Sequence, residues 1–529
     1  MKKILILCLS ALILSLSACD TGEPVEQNYT VPSWTLYQRA LKSGQSLEEA
    51  RTLLVSKNNP YNINTTINGD PTSQMGIAWF TNANITGGVV QIVEGKVNRI
   101  PVFSKLKKIQ AVSVAVDTVN YVSTGAGNER MIEATGFAKG EKRSYTSNKA
   151  LIDNLKPNTT YTYRVGKKRA WSQTGTFTTA KNNKEAFEFI YVTDTQANTD
   201  EMFDISKKTI ETAYQQTPEA KFMLITGDLI DSGGALSAEW EWEQWFEKMQ
   251  DVLLHLPVAP AQGNHDTSPF RNWFHHFNTD DFFNAQQSSD ESRTAMGGTV
   301  RSFVYGDALF MILNWEDYRK GEPYFAALEQ WMREQISKHA DIKWRIAAFH
   351  KTLFTGSAGH QNGSDGRIIR ERFAHVFHNL GIDLAIQGHD HVYEVIGVIA
   401  ADGTNFTHLA NAVTNQTFVT PTPADGRSVS TDVTGKRGGT YDVSDGTIYF
   451  LNNSAGRKKY YPRSQEQMEA AFPQHGVKDY FSLFNKFGQT GEPTFSRVKV
   501  STDAIEISTY TVDDNGKTEL FDAFRIVKN

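Results

Sequence analysis

Five short polar clusters, each placed just after a run of apolar residues, constrain this chain more than any other feature. In chain order they are Asp194-Thr195-Gln196, Gly227-Asp228, Gly263-Asn264-His265-Asp266, His350 and Gly388-His389-Asp390-His391. The apolar runs before them cover residues 187–192, 222–225, 258–261, 345–349 and 384–386. Short apolar runs bounded by glycine and polar residues are typical of buried β-strands. The pattern therefore predicts that polar side chains lie together just after the ends of several strands.

Stretches with a helical pattern, such as 204–216 and 366–380, lie between these runs. Alternating strands and helices indicate an α/β core. In open α/β sheets, binding sites form beyond the carboxyl ends of the strands, and all five clusters lie at that end. A lone histidine at a strand end is usually structural, but the five clusters together favour a metal site. Mixed carboxylate, amide and imidazole groups suit iron, manganese or zinc.

The order of these motifs resembles that of the calcineurin-like metallophosphoesterases, and most closely the branch that contains the purple acid phosphatases. The resemblance covers residues 185–457 and the domain before them. It implies an αββα sandwich and two metal ions, which would be iron, manganese or zinc. No P-loop pattern is present, so phosphate binding of the NTPase type is not expected.

The resemblance implies a phosphoric monoester hydrolase that acts on a small phosphorylated substrate through a metal-activated water. A phosphodiesterase or nucleotide hydrolase on the same site is the alternative, because both reactions use the same two-metal centre. The insertion at 266–300 could cover the cleft and favour small monoesters. A third hypothesis is a surface-binding lipoprotein with a vestigial metal site.

The resemblance also implies a role for each polar cluster. Asp228 would bridge two ions, with Asp194 and His391 on metal one and Asn264, His350 and His389 on metal two. His265 would contact the phosphoryl group or protonate the leaving oxygen. Asp266 would orient His265, since a carboxylate commonly fixes the direction of a working imidazole.

Three positions leave the role open or depart from the family pattern. Asp231 stands where purple acid phosphatases place a metal-binding tyrosine, so no purple charge-transfer colour is expected. Gln196 would ligate metal one through its amide oxygen or support a ligand by hydrogen bonding. His360 occupies the position of a substrate-facing histidine in plant purple acid phosphatases, or it is an exposed loop histidine. The basic turn 457–459 is interpreted as solvated, with guidance of an anionic substrate as the alternative.

The N-terminus has the pattern of a signal peptide over residues 1–19. Lys2 and Lys3 precede an apolar run at 4–16, which is too short for an ordinary spanning helix. The end of this segment resembles a bacterial lipoprotein cleavage box, which implies that Cys19 is lipidated; ordinary cleavage that leaves Cys19 free is the alternative. Because Cys8 would leave with the signal, the mature chain would keep no internal disulfide. We therefore expect an exported lipoprotein, anchored to a membrane through Cys19 at the periplasmic face or cell surface.

The remaining segments give a coarser domain map. Residues 20–61 are interpreted as a tether and a helix, and 62–180 as an all-β domain whose turn at 155–165 resembles the tyrosine corner of fibronectin type III-like sandwiches. Residues 185–457 form the predicted catalytic domain. Residues 458–529 are expected to close one edge of its sheet with a terminal β-hairpin. A net charge of −5 gives no electrostatic case for nucleic acid binding.

A tryptophan-rich stretch lies between the second and third polar clusters. Trp242 and Trp245 are three positions apart, which favours a helix that packs these rings into a core. A binding platform is the alternative.

Overall fold

The computed structural model describes most of the chain from residue 59 onward. The described ranges are 59–82, 85–97, 106–120, 142–167, 170–232, 238–267, 272–279, 297–360, 363–401, 438–470 and 480–529, with short pieces at 44, 406–408, 417–418 and 433–434. The predicted signal peptide, Cys19 and the predicted N-terminal helix lie outside these residues, as does most of the insertion at 266–300. Within the described residues, no helix has the length and apolar character needed to cross a membrane.

An all-β domain comes first, as predicted. Its strands are β1 (Tyr61–Thr66), β2 (Met75–Asn82), β3 (Val89–Glu94), β4 (Lys107–Gln110), β5 (Val112–Asn120), β6 (Lys142–Ile152), β7 (Thr160–Lys167), β8 (Ala170–Trp171) and β9 (Gly175–Thr178). One sheet runs β4-β3-β7-β8, with β9 also on β7, and it packs on β1, β2 and β6 through a core that includes Trp79 and Tyr163. The hydroxyl of Tyr161 accepts a 2.9 Å hydrogen bond from the backbone of Lys156, in the manner of a tyrosine corner.

The second domain alternates strands and helices before it ends in strands. Its elements are β10 (Phe187–Val192), α1 (Asp200–Gln216), β11 (Ala220–Ile225), α2 (Ala238–Leu253), β12 (Val258–Pro260), a 3-10 turn (Asn264–Asp266), α3 (Asn272–His276), β13 (Arg301–Tyr305), β14 (Ala308–Ile312), a 3-10 turn (Tyr318–Lys320), α4 (Glu322–Lys338), β15 (Trp344–Ala348), α5 (Ser364–Asn379), β16 (Leu384–Ile386), β17 (Tyr393–Ala401), β18 (Phe406–His408), β19 (Thr417–Phe418), β20 (Val433–Thr434), β21 (Thr440–Asp442), β22 (Thr447–Asn452), α6 (Gln465–Ala470), a 3-10 turn (Tyr480–Leu483), β23 (Phe484–Gly488), β24 (Thr494–Val500), β25 (Ile505–Val512) and β26 (Thr518–Val527).

Two large sheets pack face to face in this domain, and one of them continues into the all-β domain. Sheet I has the order β21-β26-β25-β24-β10-β11-β12-β1-β2-β6-β5, and sheet II has the order β13-β14-β15-β16-β22-β17-β18 with β23 on β17. A buried apolar core that includes Phe189 and Phe310 fills the space between them. Helices α1 and α2 cover the outer face of sheet I, and α4 and α5 cover that of sheet II. The predicted α/β fold with an αββα sandwich is confirmed.

Strand β10 shows why the apolar runs are continuous. Phe189 and Tyr191 face the core between the sheets, while Ile190 and Val192 face the helices outside sheet I. A strand buried on both faces needs apolar residues at every position rather than at alternate ones. Strands β10, β11 and β12 are parallel, as are β14, β15, β16 and β22, so their carboxyl ends lie at common edges.

Helix α2 buries its tryptophans, and the predicted core packing is confirmed. Trp242 and Trp245 are fully buried against the outer face of sheet I. Glu239 and Glu241 on the same helix are buried as well, so the polar positions of this helix do not form a solvated face. Glu239 contacts Nε2 of His276 at 2.9 Å, and the ring of His276 stacks on Phe80 of the all-β domain.

The all-β domain and the second domain share sheet I. Strand β1 pairs in parallel with β12, with Thr66 opposite Val258, so the first domain braces the strand that leads into Asn264. The predicted terminal hairpin is instead a meander of three strands, β24, β25 and β26, which joins sheet I through β10. Short β21 pairs with β26 at the outer edge. Strand β25 pairs with β24 along one edge and with β26 along its other edge, which adds the third strand.

Candidate metal centre

The five polar clusters meet at one end of the two sheets. Asp194 and Gln196 follow β10, Asp228 follows β11, and the turn that begins with Asn264 follows β12. His350 follows β15 in sheet II, and the cluster with His389 and His391 follows β16. The sheets pack with these strand ends on the same side, so ligands from both sheets face each other.

The loops that carry these ligands have an unusual backbone. Asp194, Asp228 and His389 have left-handed conformations, with φ of 52°, 51° and 74°. Such conformations cost non-glycine residues on the order of 1–3 kcal/mol each and occur mainly at functional sites. Gly227 has a φ of 92°, and a Cβ there would lie 2.7 Å from Nδ1 of His350. The tight turns bring the two loops into direct contact.

One group of ligand atoms surrounds Nε2 of His350. This nitrogen lies 3.1 Å from Oδ2 of Asp228 and 3.1 Å from Oδ1 of Asn264. Nδ1 of His389 lies 3.2 Å from the same nitrogen. Asp228, His350 and His389 each offer a ligand atom within 4.8 Å of the others. Two imidazole nitrogens and two oxygens that converge in this way are a suitable set for a divalent cation.

A second group contains Asp194, Gln196 and His391. Oδ1 of Asp194 lies 3.2 Å from Nε2 of His391. Within the described residues, those two atoms and Oε1 of Gln196 are buried and make no hydrogen bond. A buried polar atom without a partner costs about 1–3 kcal/mol, and a bound ion is one of the few explanations for three together. The residues of this group therefore fit a metal ion.

Backbone carbonyls orient two of the imidazoles. Nδ1 of His350 donates to the carbonyl of Thr226 at 2.8 Å, and Nδ1 of His391 donates to the carbonyl of Lys458 at 2.9 Å. With Nδ1 engaged, Nε2 of each ring faces the centre and is the nitrogen left to bind a metal ion. Oδ2 of Asp194 accepts hydrogen bonds from the Thr193 hydroxyl and the backbone of His389, which leaves Oδ1 for a ligand bond.

The electrostatics of the centre follow from burial and from the Asp228–His350 contact. Burial alone would raise the pKa of Asp228, but the charges and hydrogen bonds of His350 and His265 together outweigh burial and lower that pKa. Burial would lower the pKa of His350, but the charge of Asp228 raises it. Burial and neighbouring cations hold the pKa of His389 well below its usual range. His389 is therefore neutral and ready to bind a cation.

Family models match both domains. Residues 60–179 match the purple acid phosphatase N-terminal domain, and residues 187–393 match the calcineurin-like phosphoesterases. The chain therefore carries a purple acid phosphatase N-terminal domain followed by a calcineurin-like phosphoesterase domain. The matched segment of the phosphoesterase begins at β10 and ends just after the cluster that contains His389 and His391.

Individual relatives of this chain are distant in sequence. An uncharacterized protein of Mycobacterium tuberculosis strain H37Rv is 24% identical over 370 residues, which cover 63% of this chain and 65% of that protein. Purple acid phosphatase 23 of Arabidopsis thaliana is 23% identical over 283 residues, which cover 47% of this chain and 58% of that protein. The chain thus spans less than two thirds of the length of either relative.

Solved structures share the fold. The purple acid phosphatase from seeds of yellow lupin, Lupinus luteus, aligns with a TM-score of 0.60 and 16% identity over 89% of this chain and 75% of that chain. A structure of PhoD aligns with a TM-score of 0.52 and 10% identity over 90% of this chain and 91% of that chain. At these identities the likeness concerns the fold alone.

His265 lies at the front of the candidate metal centre, with its side chain 33% exposed. Its backbone N–H donates to Oδ1 of Asp228 at 2.8 Å, and Nδ1 of its ring contacts the carbonyl of Asp231. Nε2 lies 4.0 Å from Oδ2 of Asp228. The ring therefore lies beside the expected bridging carboxylate and remains accessible.

The expectation that Asp266 orients His265 is wrong. Both carboxylate oxygens of Asp266 accept 2.9 Å hydrogen bonds from backbone N–H groups, one from Leu229 and one from Gly263. In the 3-10 turn His265 points outward while Asp266 is fully buried, so these sequence neighbours face opposite directions. Burial and the charge of Asp228 raise the pKa of Asp266 well above its usual range. Asp266 holds the Asp228 loop against the Asn264 loop.

The ring of His360 packs against the candidate metal centre, so His360 is not a fully exposed loop histidine. Its ring stacks on that of His389, and its Nδ1 donates to Oδ1 of the buried Asp390 at 3.0 Å. Burial would lower the pKa of His360, but the hydrogen bond and charge of Asp390 raise it. The role of His360 in substrate contact stays a prediction.

Asp231, which replaces the expected tyrosine, is engaged by protein donors. One carboxylate oxygen contacts Nζ of Lys458, and the other accepts a hydrogen bond from Nδ2 of Asn198. These contacts leave Asp231 outside the converging ligand atoms. The absence of purple colour stays a prediction.

Several residues around the ligands have a role that was not predicted from the sequence. They orient or cover ligands: Thr193, Thr226, Asp390, Lys458 and Tyr460. Thr193, Thr226 and Asp390 lie within or beside the polar clusters, which was the available signal. Lys458 and Tyr460 come from a distant loop, and no sequence spacing links them to His391. The tyrosine ring stacks on His391 with centroids 4.4 Å apart.

Proposed function

We propose that this chain is a binuclear-metal phosphomonoesterase that acts on small phosphorylated substrates. The observation that carries the proposal is the pairing of two ligand groups at one set of strand ends. One group surrounds Nε2 of His350, and the other contains three buried atoms that form no hydrogen bond to any residue the structure describes. The family match of residues 187–393 supports the same reaction class.

Bound ions would supply a deprotonated water as nucleophile and neutralise charge on the phosphoryl oxygens. The residues of the chain position and protonate the substrate. Nδ1 of His265 bonds the carbonyl of Asp231, so Nε2 is the atom that contacts a phosphoryl oxygen or passes a proton to the leaving group. His360 is held through Nδ1 by Asp390, which leaves Nε2 for the substrate.

Hydrolysis of p-nitrophenyl phosphate and bis-p-nitrophenyl phosphate, with titration of iron, manganese and zinc, tests this function. We expect the monoester to be hydrolysed faster, with full activity at two ions per chain. Faster hydrolysis of the diester would instead favour the phosphodiesterase alternative. Binding of two ions without hydrolysis of either ester would favour a non-catalytic surface protein.

We further propose that the enzyme is a membrane-anchored lipoprotein at the periplasmic face or cell surface. The motif at 1–19 supports this, since a charged start, a short apolar run and a small-residue box precede Cys19. Labelling of bacterial cells with radioactive palmitate tests the anchor. Label should be absent from Cys19→Ala and retained in Cys8→Ala, because Cys8 would leave with the signal peptide. Label in both variants, or in neither the wild type nor Cys8→Ala, contradicts the proposal.

A further inference from the structure

An ion pair links two loops that approach the centre from opposite sides. Nζ of Lys458, in the loop after β22, contacts Oδ1 of Asp231, in the loop after β11. The side chain of Asp231 is 14% exposed and that of Lys458 is 33% exposed, so the pair is partly shielded from water. Such shielding makes the attraction stronger than that of a fully solvated pair.

Lys458 also contacts His391 through its backbone. The carbonyl of Lys458 accepts hydrogen bonds from Nδ1 of His391 at 2.9 Å and from the hydroxyl of Ser454 at 2.6 Å. The residue whose ammonium group binds Asp231 therefore also sets the direction of Nε2 of His391. A shift of the Lys458 backbone would turn this ring away from Asp194.

Asp231 has the equivalent relation to His265. Nδ1 of His265 contacts the carbonyl of Asp231 and lies 3.6 Å from its Oδ1. From behind, Oε2 of the buried Glu241 accepts hydrogen bonds from the backbone of Asp231 and Ser232 at 2.9 and 2.8 Å. Glu241 of helix α2 thus holds the backbone of Asp231, and the position of Asp231 sets that of the His265 ring.

We propose that the Asp231–Lys458 ion pair is a positioning device that keeps the rings of His391 and His265 at a fixed distance and orientation relative to each other. The contacts form a continuous chain from His391 through Lys458 and Asp231 to His265. The inference rests on the proposed two-metal function, because it assigns His391 to an ion and His265 to the phosphoryl group. Neither Asp231 nor Lys458 touches the substrate in this role.

Lys458→Met removes the ammonium group and keeps the carbonyl, so it tests the pair directly. Groups that orient metal ligands typically affect metal affinity or activity by about 10–100-fold. In the purified full chain, we expect Zn²⁺ calorimetry to show one of two sites weakened by about that factor, with kcat lowered and KM changed little. Lys458→Arg should restore most of the affinity. Asp231→Asn combined with Lys458→Met should be no worse than either alone, because the two residues act as a unit.

Arg497→Met is the matched control, because Arg497 pairs with Glu188 at similar exposure, 41% and 14%. It should keep both Zn²⁺ sites, and circular dichroism should show that all variants are folded. Unchanged Zn²⁺ binding in Lys458→Met would overturn the inference, as would normal binding with a raised KM, which would make Lys458 a direct substrate contact. A wild-type chain that binds no pair of ions would instead refute the proposed function.

Discussion

His360 stacks on His389 with ring centroids 3.8 Å apart and an angle of 23° between the planes. Because His389 belongs to the converging ligand group and His360 is 32% exposed, the stack places an accessible imidazole beside the expected substrate position. Asp390 fixes this ring through Nδ1. The two histidines are thus a ligand and its outer neighbour, with different expected consequences when each is replaced.

His360→Ala should raise KM for p-nitrophenyl phosphate and lower kcat, because an imidazole that faces the phosphoryl group is lost. Both ions should remain bound, since Nε2 of His350 and Nδ1 of His389 keep their positions. Steady-state kinetics and metal analysis check both statements. His375→Ala, on helix α5, is the control and should leave both quantities unchanged. Loss of an ion in His360→Ala would show that this ring supports His389 rather than the substrate.

Asp228→Asn should abolish activity and lower the metal content. A neutral amide does not bridge two cations as a carboxylate does, and the 3.1 Å contact with His350 loses its charge. Metal analysis by mass spectrometry and the monoester assay measure the two effects. Two ions per chain with the wild-type rate would show that the bridging assignment is wrong.

His265→Ala should lower turnover by about 10²–10⁴-fold, the usual contribution of a general acid, with normal metal content. The loss should be smaller for p-nitrophenyl phosphate than for an alkyl phosphate, because an acidic leaving group needs little protonation. A comparison of kcat for the two substrates measures this difference. Equal losses would leave His265 with phosphate binding only.

Gln196→Ala should weaken one of the two metal sites. Within the described residues, Oε1 of Gln196 is buried and makes no hydrogen bond, which a ligand role through this oxygen explains. Gln196→Glu keeps an oxygen at this position and should retain the ion. Calorimetric titration with Zn²⁺ distinguishes the variants. Full binding in Gln196→Ala would favour the supporting role.

Metal uptake at pH 7 should release a proton from His350. Although burial would lower its pKa, the charge of Asp228 raises that pKa above the usual value near 6.5, so the metal-free ring is protonated at pH 7. An ion requires the lone pair of Nε2, so the proton must leave. Calorimetry in two buffers with different ionisation enthalpies counts the protons released.

The same pKa shift makes the stability of the metal-free protein depend on pH. A raised folded-state pKa stabilises the fold fully below about 6.5, and this contribution is lost as the pH rises through the folded-state value. The melting temperature of the metal-free chain should therefore fall from pH 6.5 towards alkaline pH. Addition of Zn²⁺ should reduce this dependence. A flat profile in the metal-free chain would contradict the Asp228–His350 pairing.

Much of the fold and the residue types of the site could be predicted from the sequence. The run 187–192 coincides with strand β10, and 384–386 coincides with β16, because strands buried on both faces are continuous apolar segments. Helix α1 begins four residues before the predicted start, where Thr199 accepts a capping hydrogen bond from Met202. The C-terminal segment forms three paired strands rather than the predicted two-stranded hairpin. An apolar pattern with a period of two residues predicts strands, but it does not reveal how many of them pair.

The sequence determined the chain order of carboxylate, amide and imidazole groups at strand ends, and this order carries the resemblance to the calcineurin-like phosphoesterases. The tertiary structure decided which atoms meet. Asp266 and His265 are adjacent in the chain but face opposite directions, while Lys458 and Asp231 come from distant loops and are paired. The strands and turns that carry each cluster follow from local burial and backbone geometry, which neighbouring residues determine. Contacts between loops depend on how two sheets pack, and that packing is a property of the whole core.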